Sequence, residues 1–305
     1  ALVLSRIEEL TGLRTCQCFD LIAGTSTGGI LALALAAPDW HEDPGEPRYR
    51  AEKLVDFYET EGPMIFARSL WQGASSVAGL ADEKYSHENL EVALKQYLSE
   101  AWLDQAMTRV MVSAYDIEGR KPFFFKSWTA PSRPPWRVRM EDAARATSAA
   151  PTYFEPARIS TDRSTIGLID GGVCVNNPAM CAYAESRRLW PEEEIWVVSL
   201  GTGELTRPIP YEKACSWGLV QWAIPLLNVI FDGVSDVVDY QLRQILRAKH
   251  IRIQGRLEVA KDDMDDASRA QLEALKIEAE RILYRQEGDL AVICDLLRER
   301  QKAAA

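Results

Sequence analysis

One glycine-rich pentapeptide, placed between a strand and a helix, constrains this chain more than any other feature. Residues 24–28 read G-T-S-T-G, after a strand-length apolar run at 19–23 and before a helix-forming run at 30–37. A nucleophile elbow requires this order, because glycines let backbone segments pass closely while the turn raises the serine Oγ at a helix N terminus. Free N–H groups and the helix dipole there favour developing negative charge. We therefore predict that Ser26 is a nucleophile. The other residues of its elbow are Gly24, Thr25, Thr27, Gly28 and Gly29.

Length, charge and cysteine usage narrow the class of protein. The 305 residues, 47% of them hydrophobic, are enough for one large domain, which we assign to residues 1–302, with 303–305 interpreted as an added remnant. A net charge of -10 argues against a nucleic-acid partner. Six scattered cysteines indicate no disulfide framework and favour a reducing cytoplasm. No signal peptide is visible, and no apolar run approaches the roughly 18 residues that cross a membrane.

The order of predicted elements is that of an α/β protein. An amphipathic helix over residues 2–10 ends at Gly12 and leads into the strand before Ser26. Further strands are predicted at 109–115, 122–126, 166–170, 195–200 and 250–253. A helix is predicted at 51–60, with Gly62 and Pro63 ending it, and another begins after the capping residue Ser86. Further helices are predicted at 141–150, 216–231, 234–247, 267–284 and 289–300.

Two segments raise the question of a ligand. Residues 64–85 mix large apolar side chains with Gly, Ser and Ala, which fits a lid, a lipid-touching surface or a simply anchored loop. Residues 119–140 carry six Lys or Arg, Trp128 and Trp136, and no acid, which fits a phosphate-bearing head group, a nucleotide or a solvated basic hairpin. No metal is predicted, because Cys16 and Cys18 lack a matching pair and the acids at 262–266 lack an EF-hand pattern.

A serine hydroxyl needs a neighbouring base, and the sequence offers two. Asp170 ends a short apolar strand and precedes Gly171 and Gly172, and ligand-facing residues in α/β sheets lie where strands end. A Ser26, Asp170, His250 triad has the chain order of α/β-hydrolases, but His250 lies inside a strand-like run. The alternative is a dyad in which Asp170 itself is the base. His41 and His87 are interpreted as surface residues.

Four motifs in this order resemble those of the patatin-like phospholipases. They are G-T-S-T-G-G at the elbow, A-T-S-A-A-P-T-Y-F at 146–154, D-G-G followed by N-N-P-A at 170–179, and S-L-G-T-G at 199–203. The resemblance implies a three-layer α/β/α fold with a central, mainly parallel sheet and a helical C-terminal part. It also implies a lipid acyl hydrolase that works with a Ser/Asp dyad, without metal or cofactor, on phospholipid at the membrane periphery. By motif match Ser26 is the nucleophile, Asp170 the base, and Gly171 and Gly172 support it.

One element of the resembling family is not in the sequence. The family has a glycine-rich oxyanion loop upstream of the first helix, whereas Thr27 N–H offers only one donor here. Loss of a donor costs about 3 kcal/mol, roughly a hundredfold or more in rate. We therefore expect the natural protein to have this loop and the chain without it to be severely impaired.

Two other functions stay open on the sequence alone. One is a soluble esterase or thioesterase that uses the Ser26, Asp170, His250 triad. The other is an effector of bacterial defence that a nucleotide or assembly into an oligomer activates, with residues 64–85 and 119–140 as the places for such control.

Overall fold

The computed structural model describes residues 1–39, 45–67, 84–98, 101–129, 137–160, 165–204, 208–261 and 263–304. The elements in the first half are α1 Leu2–Thr11, α2 Thr15–Cys18, β1 Leu21–Thr25, α3 Thr27–Ala36, α4 Lys53–Ile65, α5 His87–Leu98, β2 Arg109–Asp116, β3 Lys121–Lys126 and α6 Met140–Thr147. Those in the second half are β4 Ala157–Ser160, β5 Thr165–Asp170, α7 Gly172–Val175, α8 Ala179–Leu189, β6 Val197–Leu200, α9 Tyr211–Ala214, α10 Leu219–Leu246, β7 His250–Ile253, α11 Arg269–Arg285 and α12 Glu287–Ala304.

The mixed α/β class and the helical C-terminal part are confirmed, while the sheet differs in one respect from the prediction. In the described five-stranded sheet, β1 pairs with β2 in parallel, and the pairs β2–β3, β2–β5 and β4–β5 are antiparallel. The sheet is therefore mixed rather than mainly parallel. Only four residues separate β2 from β3 and β4 from β5, and a connection this short cannot cross over to make a parallel pair. A second sheet pairs β6 with β7 in parallel.

Two strands approach each other head to head along one edge of β2. β1 runs parallel to β2 and reaches its last pairing at Thr25 with Ser113. β5 runs antiparallel to β2 and reaches its last pairing at Asp170 with Ala114. Because Ser113 and Ala114 are consecutive, the carboxyl ends of β1 and β5 meet. This register places Ser26 and Asp170, 144 residues apart in sequence, beside each other.

Small residues let two helices pack closely against this sheet. α3 is almost wholly buried, with Leu33 and Leu35 at its centre. Gly29 leaves no room for a side chain, since a Cβ there would lie 2.8 Å from the Thr147 side chain and 2.9 Å from that of Val112. α6 contributes alanines that are completely buried. The prediction of a tightly packed, small-residue helix is confirmed, but the helix ends at Thr147 rather than continuing over 141–150 to Pro151.

Some boundaries differ from those that the sequence predicts. α4 continues through Gly62 and Pro63 to Ile65, because a proline in the last turn removes only one helical hydrogen bond. α10 is one helix of 28 residues rather than two helices on either side of Gly233. β4 carries too few residues to give a periodic signal. His41, most of the loop 64–85 and residues 130–136 lie outside the described residues.

No helix in the described part of the chain is both long enough and apolar enough to cross a membrane.

The opening helix is joined to the body of the protein through a buried carboxylate. Glu8 Oε1 accepts hydrogen bonds from the Thr15 N–H and hydroxyl, at 2.8 and 2.6 Å, and Oε2 accepts one from the Ala51 N–H at 3.0 Å. The Glu8 side chain is buried, so each donor would be left without water if the carboxylate were removed. Glu8 thus holds α1, the start of α2 and Ala51, two residues before α4, in one arrangement.

We expect Glu8→Ala to lower the free energy of unfolding by about 3 to 5 kcal/mol, because buried hydrogen bonds to a charged group are lost and two N–H groups are left unpaired. Urea denaturation measures this loss. Glu9→Ala is the matched control, since Glu9 is exposed and should change stability by less than about 0.5 kcal/mol. Equal effects of the two substitutions would contradict this role of Glu8.

Candidate active site

The turn at Ser26 has the strained geometry of a nucleophile elbow. Ser26 has φ 54° and ψ -129°, a positive φ that residues with a side chain rarely adopt. Gly24 permits this turn, because a Cβ there would lie 2.1 Å from the carbonyl oxygen of Gly28. Ser26 is half-buried, and Thr27 and Gly28 beside it are exposed. The first hydrogen bond of α3 runs from the Gly29 N–H to the Ser26 carbonyl at 2.8 Å, so the Thr27 and Gly28 N–H groups precede the bonded part of the helix.

The Ser26 hydroxyl donates a hydrogen bond to the carboxylate of Asp170. The Oγ lies 2.6 Å from Asp170 Oδ2, and Asp170 Oδ1 accepts the Gly172 N–H at 2.7 Å. Asp170 is 5% exposed. Burial raises the pKa of Asp170 to about 6, while the hydrogen bonds from Ser26 and Gly172 oppose that rise. The arrangement presents a serine hydroxyl to a carboxylate that is a stronger base than an exposed aspartate.

A buried network of hydroxyls supports this pair, and sequence reasoning did not single it out. Thr147 Oγ1 accepts the Ser26 N–H at 2.9 Å and donates to the Ser113 carbonyl at 2.6 Å. Thr25 Oγ1 donates to the Val175 carbonyl at 2.7 Å. The Ser113 hydroxyl, 2.7 Å from Thr25 Oγ1, must therefore donate to Thr25. The sequence contained Thr25 in the elbow and Thr147 in the 146–154 motif, but no local pattern shows that these two hydroxyls belong to one network.

Gly171 and Gly172, the two glycines after Asp170, contribute to the site in different ways. A Cβ at Gly171 would lie 2.3 Å from the Ser113 hydroxyl and 2.5 Å from its carbonyl oxygen, so only glycine lets this turn pass over β2. Gly172 has more room, with the nearest atom, Asp170 Oδ1, at 3.1 Å from a Cβ. The main contribution of Gly172 is its N–H, which orients the Asp170 carboxylate.

The structure does not bring a described histidine to this pair. His250 begins β7, pairs with Val197 of β6, and has Asp239 3.8 Å from its Nδ1. Neither ring nitrogen of His250 has a hydrogen-bond partner within the described residues, and burial lowers the pKa of the imidazole. His87 contacts Glu155 at 2.7 Å and lies at the start of α5.

The glycine loop at residues 201–203 and the described part of the basic segment 119–140 both contact other parts of the protein. The Gly203 N–H donates to Gln254 Oε1 at 2.9 Å, next to the β6–β7 sheet. In the described part of residues 119–140, Lys126 pairs with Glu185 and Arg137 with Asp104. Across the described ranges, no three His, Cys, Asp or Glu side chains are grouped as metal ligands.

Comparison with known proteins gives consistent matches. Residues 1–183 match the family model described as patatin-like phospholipase. Patatin-like protein 4 of Arabidopsis thaliana is 34% identical over 311 residues, which cover 92% of this chain and 77% of that protein. Patatin-11 of Solanum tuberosum is 30% identical over 307 residues, with the same two shares, 92% and 77%. The crystal structure of VipD from Legionella pneumophila aligns with a TM-score of 0.35 and 12% identity, over 92% of this chain and 64% of that chain. The last match is too weak to carry an argument.

The raised pKa of Asp170 predicts a pH-dependent stability. Because the folded-state pKa of about 6 lies above the unfolded value, this group's stabilising contribution is fully present below about pH 4 and is lost as pH rises through 6. Asp170→Asn removes this dependence and keeps both hydrogen bonds, since its oxygen accepts from Gly172 and its NH₂ donates to Ser26. We expect Asp170→Asn to be more stable than the wild type at pH 8 by up to about 3 kcal/mol.

The measurement is urea denaturation of both proteins between pH 4 and pH 8. The difference in unfolding free energy should shrink towards low pH. A difference that does not change with pH would contradict the burial of an ionised Asp170.

Proposed function

Because the chain belongs to the patatin-like phospholipase family, we propose that it hydrolyses ester bonds of membrane phospholipids through an acyl-enzyme on Ser26, with Asp170 as the base. The family supports a lipid acyl hydrolase in general, and the dyad mechanism is the finer part of the proposal. The observation that carries the proposal is the 2.6 Å hydrogen bond from the Ser26 hydroxyl to Asp170 at a strained elbow.

The first half of the reaction is acylation of Ser26. Asp170 Oδ2 takes the hydroxyl proton as Oγ attacks the ester carbonyl carbon. The carbonyl oxygen becomes an oxyanion, and the N–H of Thr27 at the start of α3 is placed to donate to it. When the tetrahedral intermediate collapses, the proton on Asp170 passes to the leaving alcohol oxygen. The acyl group stays on Ser26, and the lyso-product departs.

The second half is hydrolysis of the acyl-enzyme. Asp170 takes a proton from a water molecule that attacks the acyl carbonyl, and the same proton returns to Ser26 Oγ when the fatty acid leaves. Atoms and charges therefore balance over one cycle, with one ester bond broken and one water consumed.

The surroundings of Asp170 make a carboxylate an adequate base. Burial raises the pKa of Asp170 to about 6, which is nearer to the working pH than the pKa of an exposed aspartate. The carboxyl group is still mostly ionised at neutral pH. The Gly172 N–H fixes the rotation of the carboxylate so that Oδ2 faces Ser26. The Ser26 N–H is held by Thr147, which keeps the elbow turn from relaxing.

Two other functions remain as alternatives to this proposal. A soluble esterase or thioesterase would use the same serine on dispersed acyl substrates, and a triad version of it would need His250 beside Asp170. A nucleotide-activated effector of bacterial defence would need a ligand to switch activity on. The contact between Ser26 and Asp170 favours the dyad. The carboxylate near His250 is that of Asp239 rather than Asp170, which argues against the triad.

The dyad predicts a distinctive pattern among three variants. In a form extended at the N terminus by the oxyanion loop, Ser26→Ala should lower hydrolysis of phosphatidylcholine in mixed vesicles by roughly a thousandfold or more, because the nucleophile is removed. Asp170→Asn should do nearly the same, whereas His250→Ala should stay within about threefold of the wild type. Circular dichroism checks that each variant is folded. A folded His250→Ala protein as inactive as Ser26→Ala would establish the triad instead.

The pKa of Asp170 also predicts the pH profile of the reaction. Only the ionised carboxylate accepts the Ser26 proton, so kcat/KM should fall about tenfold per pH unit below about pH 6 and level off above it. A soluble short-chain ester assayed between pH 4.5 and 8.5 measures the profile of the free enzyme. A rate that is flat down to pH 4.5 would argue against Asp170 as the base.

A further inference from the structure

An apolar stripe runs along the exposed side of α10. Its members recur mainly every three or four residues, so they lie on one side of the helix. Leu219 is 93% exposed, Tyr240 65%, Val237 55% and Leu226 46%. The apolar stripe consists of the half-buried Trp222 and the exposed Leu219, Leu226, Val229, Ile230, Val237 and Tyr240. The outer side of an ordinary surface helix is polar, so this stripe needs a reason.

From its middle to its C-terminal end, the opposite side of α10 contacts the body of the protein. Leu242 is fully buried, and at about 100° per residue it points roughly 140° or more away from the centre of the stripe. The Phe231 carbonyl, in the middle of the helix, accepts a hydrogen bond from the Asn176 amide at 3.0 Å. The stripe is therefore a second apolar side of α10, distinct from the side that faces the core.

Charged residues are absent from the N-terminal half of α10 and lie on one flank beyond it, and two tryptophans lie at its N-terminal end. The sequence from 214 to 231 contains no Asp, Glu, Lys or Arg. Further along, Asp232, Asp236 and Arg243 lie on one flank of the helix and do not interrupt the stripe. At the N-terminal end, the rings of Trp217 and Trp222 meet edge to face at 5.1 Å. Tryptophan pairs an apolar ring with a polar N–H and is enriched where hydrocarbon meets water.

α10 is also tied to the base of the dyad. Asn176 directly follows α7, and α7 begins at Gly172, whose N–H holds the Asp170 carboxylate. One short helix thus separates Asp170 from the middle of α10.

We propose that the apolar stripe of α10 docks on a zwitterionic lipid surface and lies in its interfacial plane, so that acyl esters are presented to Ser26. This inference rests on the proposed function, which requires a substrate that resides in a lipid surface. An apolar helix face buried about 5 to 10 Å into the head-group region is the physical form of such docking. The acidic flank and the net charge of -10 favour neutral head groups over anionic ones.

A second copy of this chain fits the stripe less well. A stable protein interface uses roughly 20 to 30 residues on each side. The stripe offers seven side chains on a single helix, with charged residues directly on its flank. A lipid surface needs no complementary shape, and a narrow apolar face with aromatic residues at one end is sufficient for it.

The test removes apolar character from the stripe without touching the dyad. The variant is Leu219→Asp/Leu226→Asp, and the control is Val92→Asp/Tyr284→Asp, which places the same two charges at exposed apolar positions, 66% and 82% exposed, on α5 and α11. All proteins carry Ser26→Ala for binding, so that lipid is not consumed. Cosedimentation with phosphatidylcholine vesicles measures partitioning.

We expect the stripe variant to lose at least about tenfold in vesicle partitioning, because two leucines no longer enter the interface. The control should partition as the parent does. Replacing a third of the lipid with phosphatidylserine should weaken binding of the parent at low salt. Equal binding by the stripe variant, or an equal loss in the control, would overturn the proposal.

Two further measurements separate this inference from the proposed function. With Ser26 restored, the stripe variant should hydrolyse a dispersed short-chain ester as fast as the wild type. No hydrolysis by any form, including one extended at the N terminus by the oxyanion loop, with stripe-dependent vesicle binding intact, would refute the enzyme and leave the docking surface. Analytical ultracentrifugation detects self-association, and a dimer that the stripe variant abolishes while vesicle binding persists would assign the stripe to a second copy and overturn the proposal.

Discussion

The structure depends on the meeting of two strand ends along the edge of β2. β1 and β5 arrive from opposite directions and stop at consecutive partners, Ser113 and Ala114. A slip of one residue in either register would turn the side chain after it to the other face of the sheet. The contact between Ser26 and Asp170 is therefore a property of the sheet as a whole and not of a flexible loop.

The buried hydroxyl network explains how this junction is kept in place. Ser113 contributes its hydroxyl, its carbonyl and the surface on which Gly171 lies. Thr147 joins the same carbonyl to the Ser26 N–H, so α6, β2 and the elbow are linked through one residue. A φ of 54° at Ser26 is unfavourable by about 1 to 3 kcal/mol, and these contacts are what maintain it.

Part of the fold and of the candidate site could be predicted from the sequence, and the part that could not depends on three-dimensional contacts. The strand, turn and helix around Ser26, the opening helix ending at Gly12 and the small-residue helix α6 follow local patterns, and the structure has all of them. Short connections account for the antiparallel pairs β2–β3 and β4–β5, whereas the antiparallel pair β2–β5 joins distant segments and no local pattern shows it. Thr147 and Ser113 look like ordinary helix and strand residues, and only their three-dimensional position gives them a role. The exposed stripe of α10 was hidden because apolar periodicity alone does not tell which side faces the core.

The central claim is that Ser26 is activated by Asp170 without a histidine, and chemical labelling tests it most directly. An alkyl fluorophosphonate forms a covalent adduct only with an activated serine, and peptide mass spectrometry locates the adduct. A Ser26–Asp170 dyad predicts labelling of Ser26 in the wild type and in His250→Ala, and little or none in Asp170→Asn. Labelling that persists in Asp170→Asn and disappears in a folded His250→Ala protein would contradict it.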